Sequence, residues 1–255
     1  MNELQTVDPV DVEAELDRIA TRYSNAGGLG IDVLNLIGGR AESLIDRLPR
    51  PVREGLQDAT VKALNQALRA AHGSRAVVRD QKSWLNSAVS AAMGAAGGAG
   101  GLPTALAELP VTTTLLLRVI EGVAAEYGFD PEAENVQFDC IQVFASAGPL
   151  SVDDGADLAF LSTRITLTGA AVQGIISKVA PRLALVMGQK LAAQAVPILG
   201  AVAGAATNYA YTSYYQDMAH VHFALRKLAI DADVPVSELT ERLRMRVGGK
   251  VARPR

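Results

Sequence analysis

The stretch LPVTTTLLLRVIEGVAAEYGFDP, residues 109–131, decides the fold class of this chain. Its residues on one helical face recur three or four positions apart, as an amphipathic α-helix requires: Leu109, Thr112, Leu116, Val119, Val123 and Tyr127. Gly128 stands where the helix should end, because glycine readily takes the left-handed conformation of a helix C-cap. Asp130 is a predicted N-cap, and Pro131 a predicted first residue, of the following helix. The stretch therefore predicts two helices joined by a tight turn.

The same periodicity continues in both directions from this stretch. Upstream it predicts a helix from Val12 to Tyr23 that ends at Asn25, a second over residues 34–48, and a third that Pro51 opens and Gly73 closes. Downstream it predicts a helix as far as residues 148–149, a long helical region from residue 153 divided by Pro181 and Pro197, and a last segment opening at Ser237. Residues 162–168 alternate like a strand but lie inside a helical pattern, so we interpret them as helix.

These elements predict an all-α fold: a single multi-helix domain over residues 1–247, with closely packed Gly/Ala-rich central helices. Residues 248–255 are predicted to be a flexible basic tail. A hydrophobic fraction of 49% supplies enough apolar surface for an ordered core. The net charge of −3 gives no reason to expect nucleic acid as a partner. The first residues lack the apolar core of a secretory signal, and a single cysteine, Cys140, suits a reducing compartment; both indicate the cytoplasm.

Two stretches carry no charged residue: residues 83–107, which number 25, and residues 191–216, which number 26. Each is long enough to cross about 30 Å of hydrocarbon at about 1.5 Å per helical residue. In the first stretch, the glycine run should interrupt a helix and favour a turn or a close helix contact. In the second, Gly200 and Gly204 allow close helix packing, and polar residues flank a short apolar core. That stretch is either a buried central helix or a shallow membrane contact. The membrane-contact candidates are Gly97, Gly98, Leu102, Ile198, Leu199, Gly200, Val202 and Gly204.

A polar row lies on the helix that follows Pro197. Its members are spaced three or four residues apart and so share one helical face: Asn208, Thr212, Tyr215, Ala219, His222 and Arg226. The row lies beside an apolar stripe and is expected at the edge of the buried face. Two interpretations stay open. The row lines a groove for an anionic or lipid-like ligand, or its side chains make hydrogen bonds and ion pairs between helices. Candidate partners on the central helix are Arg118, Glu108, Glu121 and Glu126.

Signatures of catalysis and metal binding are weak. His220 and His222 are two residues apart, which points them to nearly opposite sides of a helix, whereas chelation from one helix requires a spacing of four. Cys140 follows Asp139, and a neighbouring carboxylate disfavours a thiolate. Neither a nucleophile elbow nor a phosphate-binding loop is present in the sequence. We predict no metal and no cofactor.

Several motifs resemble those of the EcsC family. The first group is Gly100-Gly101-Leu102, Leu109-Pro110, the run from Leu117 to Ile120, and the run from Ala124 to Asp130. The second is the run from Val196 to Gly200, Asn208-Tyr209-Ala210, and the run from Ala219 to Leu228. The order and spacing fit over residues 80–231, although Glu108 replaces an expected aspartate and His220 is an additional histidine. The resemblance implies a bacterial, intracellular, helical protein. It implies no particular reaction, and it associates the family with transport and secretion only through a neighbouring transporter gene.

These observations favour a non-enzymatic, membrane-proximal accessory protein, cytoplasmic and peripheral to the inner membrane. Its expected partner is a membrane surface or a membrane protein. One alternative is a soluble binder of a lipid-like or hydrophobic small molecule. Another is a hydrolase that uses His222 with a carboxylate, which would require the two groups within about 3 Å of each other in an open cleft.

Overall fold

The computed structural model describes residues 10–26, 48–75, 92, 101–145, 180, 184, 188 and 200–251. Within these ranges the chain forms six α-helices and no β-strand. They are α1 (Val12–Ser24), α2 (Arg50–Arg75), α3 (Gly101–Glu126), α4 (Glu134–Ala145), α5 (Gly200–Asp231) and α6 (Val236–Val251). The all-α prediction is confirmed.

Helix α1 begins and ends where its sequence indicates. The Asp11 side chain caps it by accepting hydrogen bonds from the backbone N–H groups of Glu13 and Ala14, at 3.1 and 3.0 Å. Leu16 and Ile19 are buried, and Asn25 is the C-cap residue. The spacing of apolar residues in the sequence therefore identified the buried face correctly.

The connection between α3 and α4 is a Schellman turn centred on Gly128. Gly128 has a φ of +81°, as predicted from its position. The N–H of Phe129 donates to the carbonyl of Ala124 at 3.0 Å, and the N–H of Gly128 donates to that of Ala125 at 2.9 Å. These two bonds satisfy carbonyls that the end of α3 would otherwise leave without partners.

The predicted start of α4 at Asp130 and Pro131 is wrong. Asp130 Oδ1 accepts from the N–H of Glu132 at 3.0 Å, and the Asp130 carbonyl accepts from that of Ala133 at 3.1 Å. These bonds close a separate turn, so α4 begins only at Glu134. Asp130 therefore has the side-chain bond expected of a cap, but it stabilises a turn that precedes the helix.

Other boundaries differ by a few residues. Helix α2 continues through Gly73 to Arg75, and α6 begins at Val236, one residue before Ser237. Helix α6 extends to Val251, so residues 248–251, assigned to the tail by the sequence, continue the helix. The predicted helix over residues 34–48 falls almost entirely outside the described residues. So do the segment 162–168, the glycine run 94–100 and most of the region from residue 153 to Pro197.

Helix α5 is the central element, because it packs against α1, α3, α4 and α6. Helix α2 packs on α3, and α6 packs on α1 as well as on α5. The largest fully buried side chains of α5 are Tyr211, Tyr215 and Phe223. The ring of Tyr215 meets that of Phe144 on α4 edge to face, with centroids 5.2 Å apart. Aromatic side chains of α5 therefore contribute to its packing against α4.

Ion pairs join α1 to α6 at the surface. Glu13 accepts from both Arg242 and Arg246, and Asp17 Oδ1 lies 3.0 Å from Arg246 Nε. Glu13 pairs with Arg242, and Asp17, four residues later on α1, pairs with Arg246, four residues later on α6. Because the partners follow the same order along both helices, the two helices run in the same direction. The first and last described helices therefore lie side by side on α5.

Two glycines provide a matched test of this backbone. The Gly128→Ala change should destabilise the protein by about 1 kcal/mol, because alanine is strained at positive φ. The Gly55→Ala change in α2 should stabilise it by about 0.5–1 kcal/mol, because a methyl group there meets no atom within 4 Å. Urea denaturation of both variants measures the two changes. Equal effects of the same sign would contradict the assigned turn.

Candidate functional site: a buried charged cluster between α4 and α5

The polar row of α5 lies inside the protein and not at the edge of its buried face. Asn208, Thr212 and Tyr215 are at most 1% exposed, and His222 is 5% exposed. Only Arg226, with 23% of its side chain exposed, reaches the surface. The expected position at the edge is therefore wrong. The ring of Phe144 on α4 and the rings of Tyr211 and Tyr214 on α5 itself pack around Tyr215.

Asp139 of α4 is the partner of the last two members of the row. Arg226 Nη1 is paired with Asp139 Oδ2, and His222 Nε2 lies 3.3 Å from Asp139 Oδ1. The Asp139 side chain is 14% exposed and that of His222 is 6% exposed. One carboxylate thus contacts two residues of α5, one on each oxygen. We refer to Asp139, His222 and Arg226 as the charged cluster.

Aromatic rings surround the charged cluster. The guanidinium carbon of Arg226 lies 4.5 Å from the centroid of the Phe129 ring, a cation–π geometry. Phe129 also packs against Phe223, with centroids 5.6 Å apart, and Phe223 meets the His222 ring edge to face at 5.0 Å. These rings cover part of the ion pair and limit its contact with water, which strengthens the attraction between its charges.

Sequence reasoning missed Asp139 as the partner and considered it only as the neighbour of Cys140. A signal was present, because Asp139 lies three residues after Val136 and four before Val143, both of which are buried. A carboxylate on the apolar face of a helix needs a cation from a neighbouring helix. Arg226 was the available cation on a facing polar row.

The other predicted residues are not part of the charged cluster. Arg118 is half-buried on α3, and the Glu108 side chain lies outside the described residues. Gly97, Gly98, Ile198 and Leu199 also lie outside them. Leu102 lies in the first turn of α3, and the first two turns of α5 contain Gly200, Val202 and Gly204. Only the backbone of these residues is described. In the described part of the chain, no helix is long and apolar enough to span a membrane.

The charged cluster comes close to one of the two conditions for a hydrolase. A carboxylate lies 3.3 Å from His222, close to the distance that proton transfer requires. The second condition was an open cleft, and the His222 ring is enclosed by Phe223, Asp139 and the surrounding core. The arrangement can neutralise and fix a buried charge, but it does not present His222 to a substrate.

His220, two residues away, lies in a different environment. Its ring meets that of Tyr127 edge to face at 5.8 Å, and its Nε2 lies 3.9 Å from Glu126 Oε2. Burial and, second, the positive charge of Arg22 lower the pKa of His220 from 6.5 to about 4. The contact with Glu126 would favour the protonated ring, but 58% of the Glu126 side chain is exposed, so water screens its charge. We therefore take His220 to be neutral at pH 7.

The fold and the cluster define a class of protein: an all-α bundle whose buried polar residues connect its helices. The family model described as the EcsC protein family matches residues 41–228. This is well over half of the chain, so the chain belongs to the EcsC protein family. The match begins upstream of the residues that carry the resemblance in the sequence. No curated protein and no solved structure matches the chain.

Removal of the Asp139 carboxylate should destabilise the bundle. The Asp139→Ala change leaves the Arg226 charge partly buried without its acidic partner, which should cost about 2–3 kcal/mol. The matched control is Asp231→Ala, which breaks the exposed pair with Lys227 on α5 and should cost under about 0.5 kcal/mol. Denaturant unfolding measures both values. A loss for Asp139→Ala no larger than that of the control would contradict the structural role of the cluster.

His220 should make the protein sensitive to acid. In the unfolded chain the ring gains its proton near pH 6.5, whereas the folded protein resists protonation until about pH 4. Protonation therefore favours unfolding as the pH falls from 6.5 to 4, and the loss at the lower limit is on the order of 3 kcal/mol. The difference in unfolding free energy between the protein and the His220→Gln variant isolates this effect. A difference that is constant over this pH window would contradict it.

Proposed function

We propose that the protein is a non-enzymatic interaction protein that works at the inner membrane. It contacts the membrane surface, or a membrane protein, by shallow insertion and without spanning the bilayer. The contact surface lies at the start of α3, which is uncharged over residues 101–107, and on the first half of α5, which is uncharged over residues 200–216. A link to transport or secretion rests on the family alone.

The observation that carries the proposal is the uncharged first half of α5, which presents Tyr209 outward. Residues 200–216 contain no charged residue, and Tyr209 is 46% exposed there. Tyrosine suits a membrane interface, because its ring is apolar and its hydroxyl can stay in water. Val111, on the neighbouring helix α3, is 54% exposed and follows the other uncharged stretch. Each uncharged stretch therefore leads to an exposed apolar side chain.

The alternatives receive less support from the geometry. A lipid-like ligand between α3 and α5 would need the polar row as its groove, yet Asn208, Thr212 and Tyr215 are buried among protein atoms. A hydrolase would need access to His222, and that ring is enclosed. The charged cluster is better explained as a connection between helices.

Vesicle sedimentation of the full chain tests the proposal. The protein should sediment with vesicles of phosphatidylethanolamine and phosphatidylglycerol, and Tyr209→Lys should weaken this binding several-fold, since a charged group enters the interface at a cost. The binding should persist in high salt, because the surface is uncharged.

The matched control is Ile230→Lys. Ile230 is 61% exposed on the same helix, but it lies at the charged end beside Lys227 and Asp231. This variant should bind like the unmodified protein. Failure of the unmodified protein to sediment, or equal weakening by both substitutions, would overturn the proposal for a membrane surface at Tyr209.

A further inference from the structure

The turn between α3 and α4 lies beside the C-terminal end of α5. Helix α4 runs antiparallel to α5, since Asp139 pairs with Arg226 and Phe144, five residues later, meets Tyr215. The residues that precede Asp139 therefore lie level with the last turns of α5. Phe129, in the turn before α4, contacts Arg226 directly, which places this turn at the same level.

The start of α1 lies at the same end of the bundle. Arg22, in the last turn of α1, pairs with Asp217 in the middle of α5. Glu13, in the first turn of α1, pairs with Arg242 of α6, a helix that residues 232–235 connect directly to the end of α5. Helix α1 therefore starts beside the C-terminal end of α5 and ends beside its middle.

Acidic residues are in excess at this end, which we call the acidic end and define as residues 10–16, 128–135 and 227–242. These segments contain ten acidic residues and two basic ones, Lys227 and Arg242. The acidic residues are Asp11, Glu13, Glu15, Asp130, Glu132, Glu134, Asp231, Asp233, Glu238 and Glu241, and all except Glu15 are exposed. Three arginines outside the segments pair with members of this set, and an excess of negative charge remains: Arg18, Arg244 and Arg246.

The opposite end of α5 carries no charge. Residues 200–216 contain no charged residue, and Tyr209 is 46% exposed among them. Between the two ends the charges nearly balance, because the last turns of α1 and α6 bring basic residues to the middle of α5. The charged residues at this level are Arg18, Arg22, Arg246 and Lys250, with Asp17, Glu126 and Asp217. The described bundle thus changes along α5 from acidic, through mixed charge, to uncharged.

The distance between the two ends exceeds the range of electrostatic forces in salt. Tyr209 and Asp231 are 22 positions apart on one continuous helix, which is about 33 Å at about 1.5 Å per residue. Charges are screened over about 8–10 Å at physiological ionic strength. An anionic leaflet, whose surface potential is about −30 mV, therefore repels the acidic end only when that end lies close to it.

Lipid charge should therefore decide how the protein lies on a membrane. The acidic residues come from three segments around α5, so a protein that lies flat brings exposed carboxylates within the screening distance of the leaflet. If α5 is instead inclined by about 45° or more, with Tyr209 at the head groups, the acidic end lies more than about 20 Å away. An anionic leaflet favours this inclined orientation.

We propose that a leaflet of anionic phospholipid holds the protein in one orientation, with Tyr209 at the head groups and the acidic end directed away from the membrane. The inference rests on the proposed function and names the class of lipid at the same contact. The uncharged surface provides the binding, and the lipid charge selects the orientation by repulsion. The net charge of −3 agrees with this division, because the protein as a whole is not attracted to an anionic surface.

The first test compares the depth of two fluorescent labels on introduced cysteines, Ser213→Cys and Ile230→Cys. Ser213 is half-buried one turn after Tyr209, and Ile230 is 61% exposed at the acidic end. On phosphatidylglycerol vesicles that carry a nitroxide quencher on their head groups, the label at residue 213 should be quenched several-fold more than that at residue 230. Cys140 is 1% exposed and should not react, and the unmodified protein is the control for this. Equal quenching of the two labels would overturn the proposal.

The second test changes the lipid charge. Replacement of phosphatidylglycerol by phosphatidylcholine should reduce the difference in quenching between the two labels several-fold, because a neutral leaflet does not repel the acidic end. High salt should have the same effect by screening. The amount of sedimented protein should change less than about two-fold in either case. A quenching difference that is the same on neutral and anionic vesicles would contradict the role assigned to lipid charge.

The third test changes the charge of the acidic end. The double substitution Glu132→Lys and Glu134→Lys reverses two exposed charges beside the last turns of α5, so the label at residue 230 should be quenched more strongly on anionic vesicles. The substitution of both residues by glutamine removes the charges without reversing them and should have a smaller effect in the same direction. Both variants should behave alike on neutral vesicles. An orientation that neither variant changes would count against the proposal.

These measurements separate the inference from the proposed function. If the protein sediments with no vesicle, the proposed function is wrong at the membrane surface, and the inference fails with it. If it sediments and both labels are quenched equally, the orientation is wrong, and the proposed function remains supported.

Discussion

The pairing of one largely buried carboxylate, that of Asp139, with α5 is the constraint on which the described bundle depends. Asp139 lies on the apolar face of α4, where an ionised group without a partner would be strongly disfavoured. His222 and Arg226 both meet it, and they are four residues apart on α5, so they share a helical face. Because Phe144, five residues after Asp139, contacts Tyr215 instead, α4 must run antiparallel to α5. The charged contact and the aromatic contact together fix both the direction and the register of the pair.

The turn after α3 completes this arrangement. Gly128 reverses the chain through a backbone conformation that disfavours other residues, and the next residue, Phe129, reaches α5. There its ring lies against both Arg226 and Phe223. The positive φ of Gly128 thus helps to place the Phe129 ring beside the ion pair between Asp139 and Arg226, two residues that are far apart in the sequence. The ion pair need not add much net stability, because desolvation offsets its attraction, but it selects one packing of the helices over others.

The sequence allowed the elements to be predicted better than their contacts. Helical periodicity and caps identified α1, the end of α3 and the start of α6, because these features depend on residues within one or two turns. The prediction of a helix start was wrong at Asp130, where a side chain able to cap a helix instead stabilises a turn that precedes the helix. The prediction also placed the polar row at the edge of the buried face, whereas most of the row is fully buried. Burial of Asn208 and Tyr215 depends on which helices cover that face, and the spacing along one helix carries no information about its neighbours. Asp139 was missed for the same reason, although its position between Val136 and Val143 places it on the apolar face of α4.

Helix α5 combines two different environments, and this division bears on the proposed function. Its second half carries the charged cluster, which connects it to α4, and Asp217 there pairs with Arg22 of α1. Its first half has no charge for 17 residues and exposes Tyr209. A single continuous helix connects the two, since α5 extends from Gly200 to Asp231 without interruption. Tyr209 therefore lies on a helix whose other end is held in place by the contacts of Asp139 with His222 and Arg226. Such an arrangement suits a protein that binds through a surface of set orientation, because little conformational entropy remains to be lost on binding.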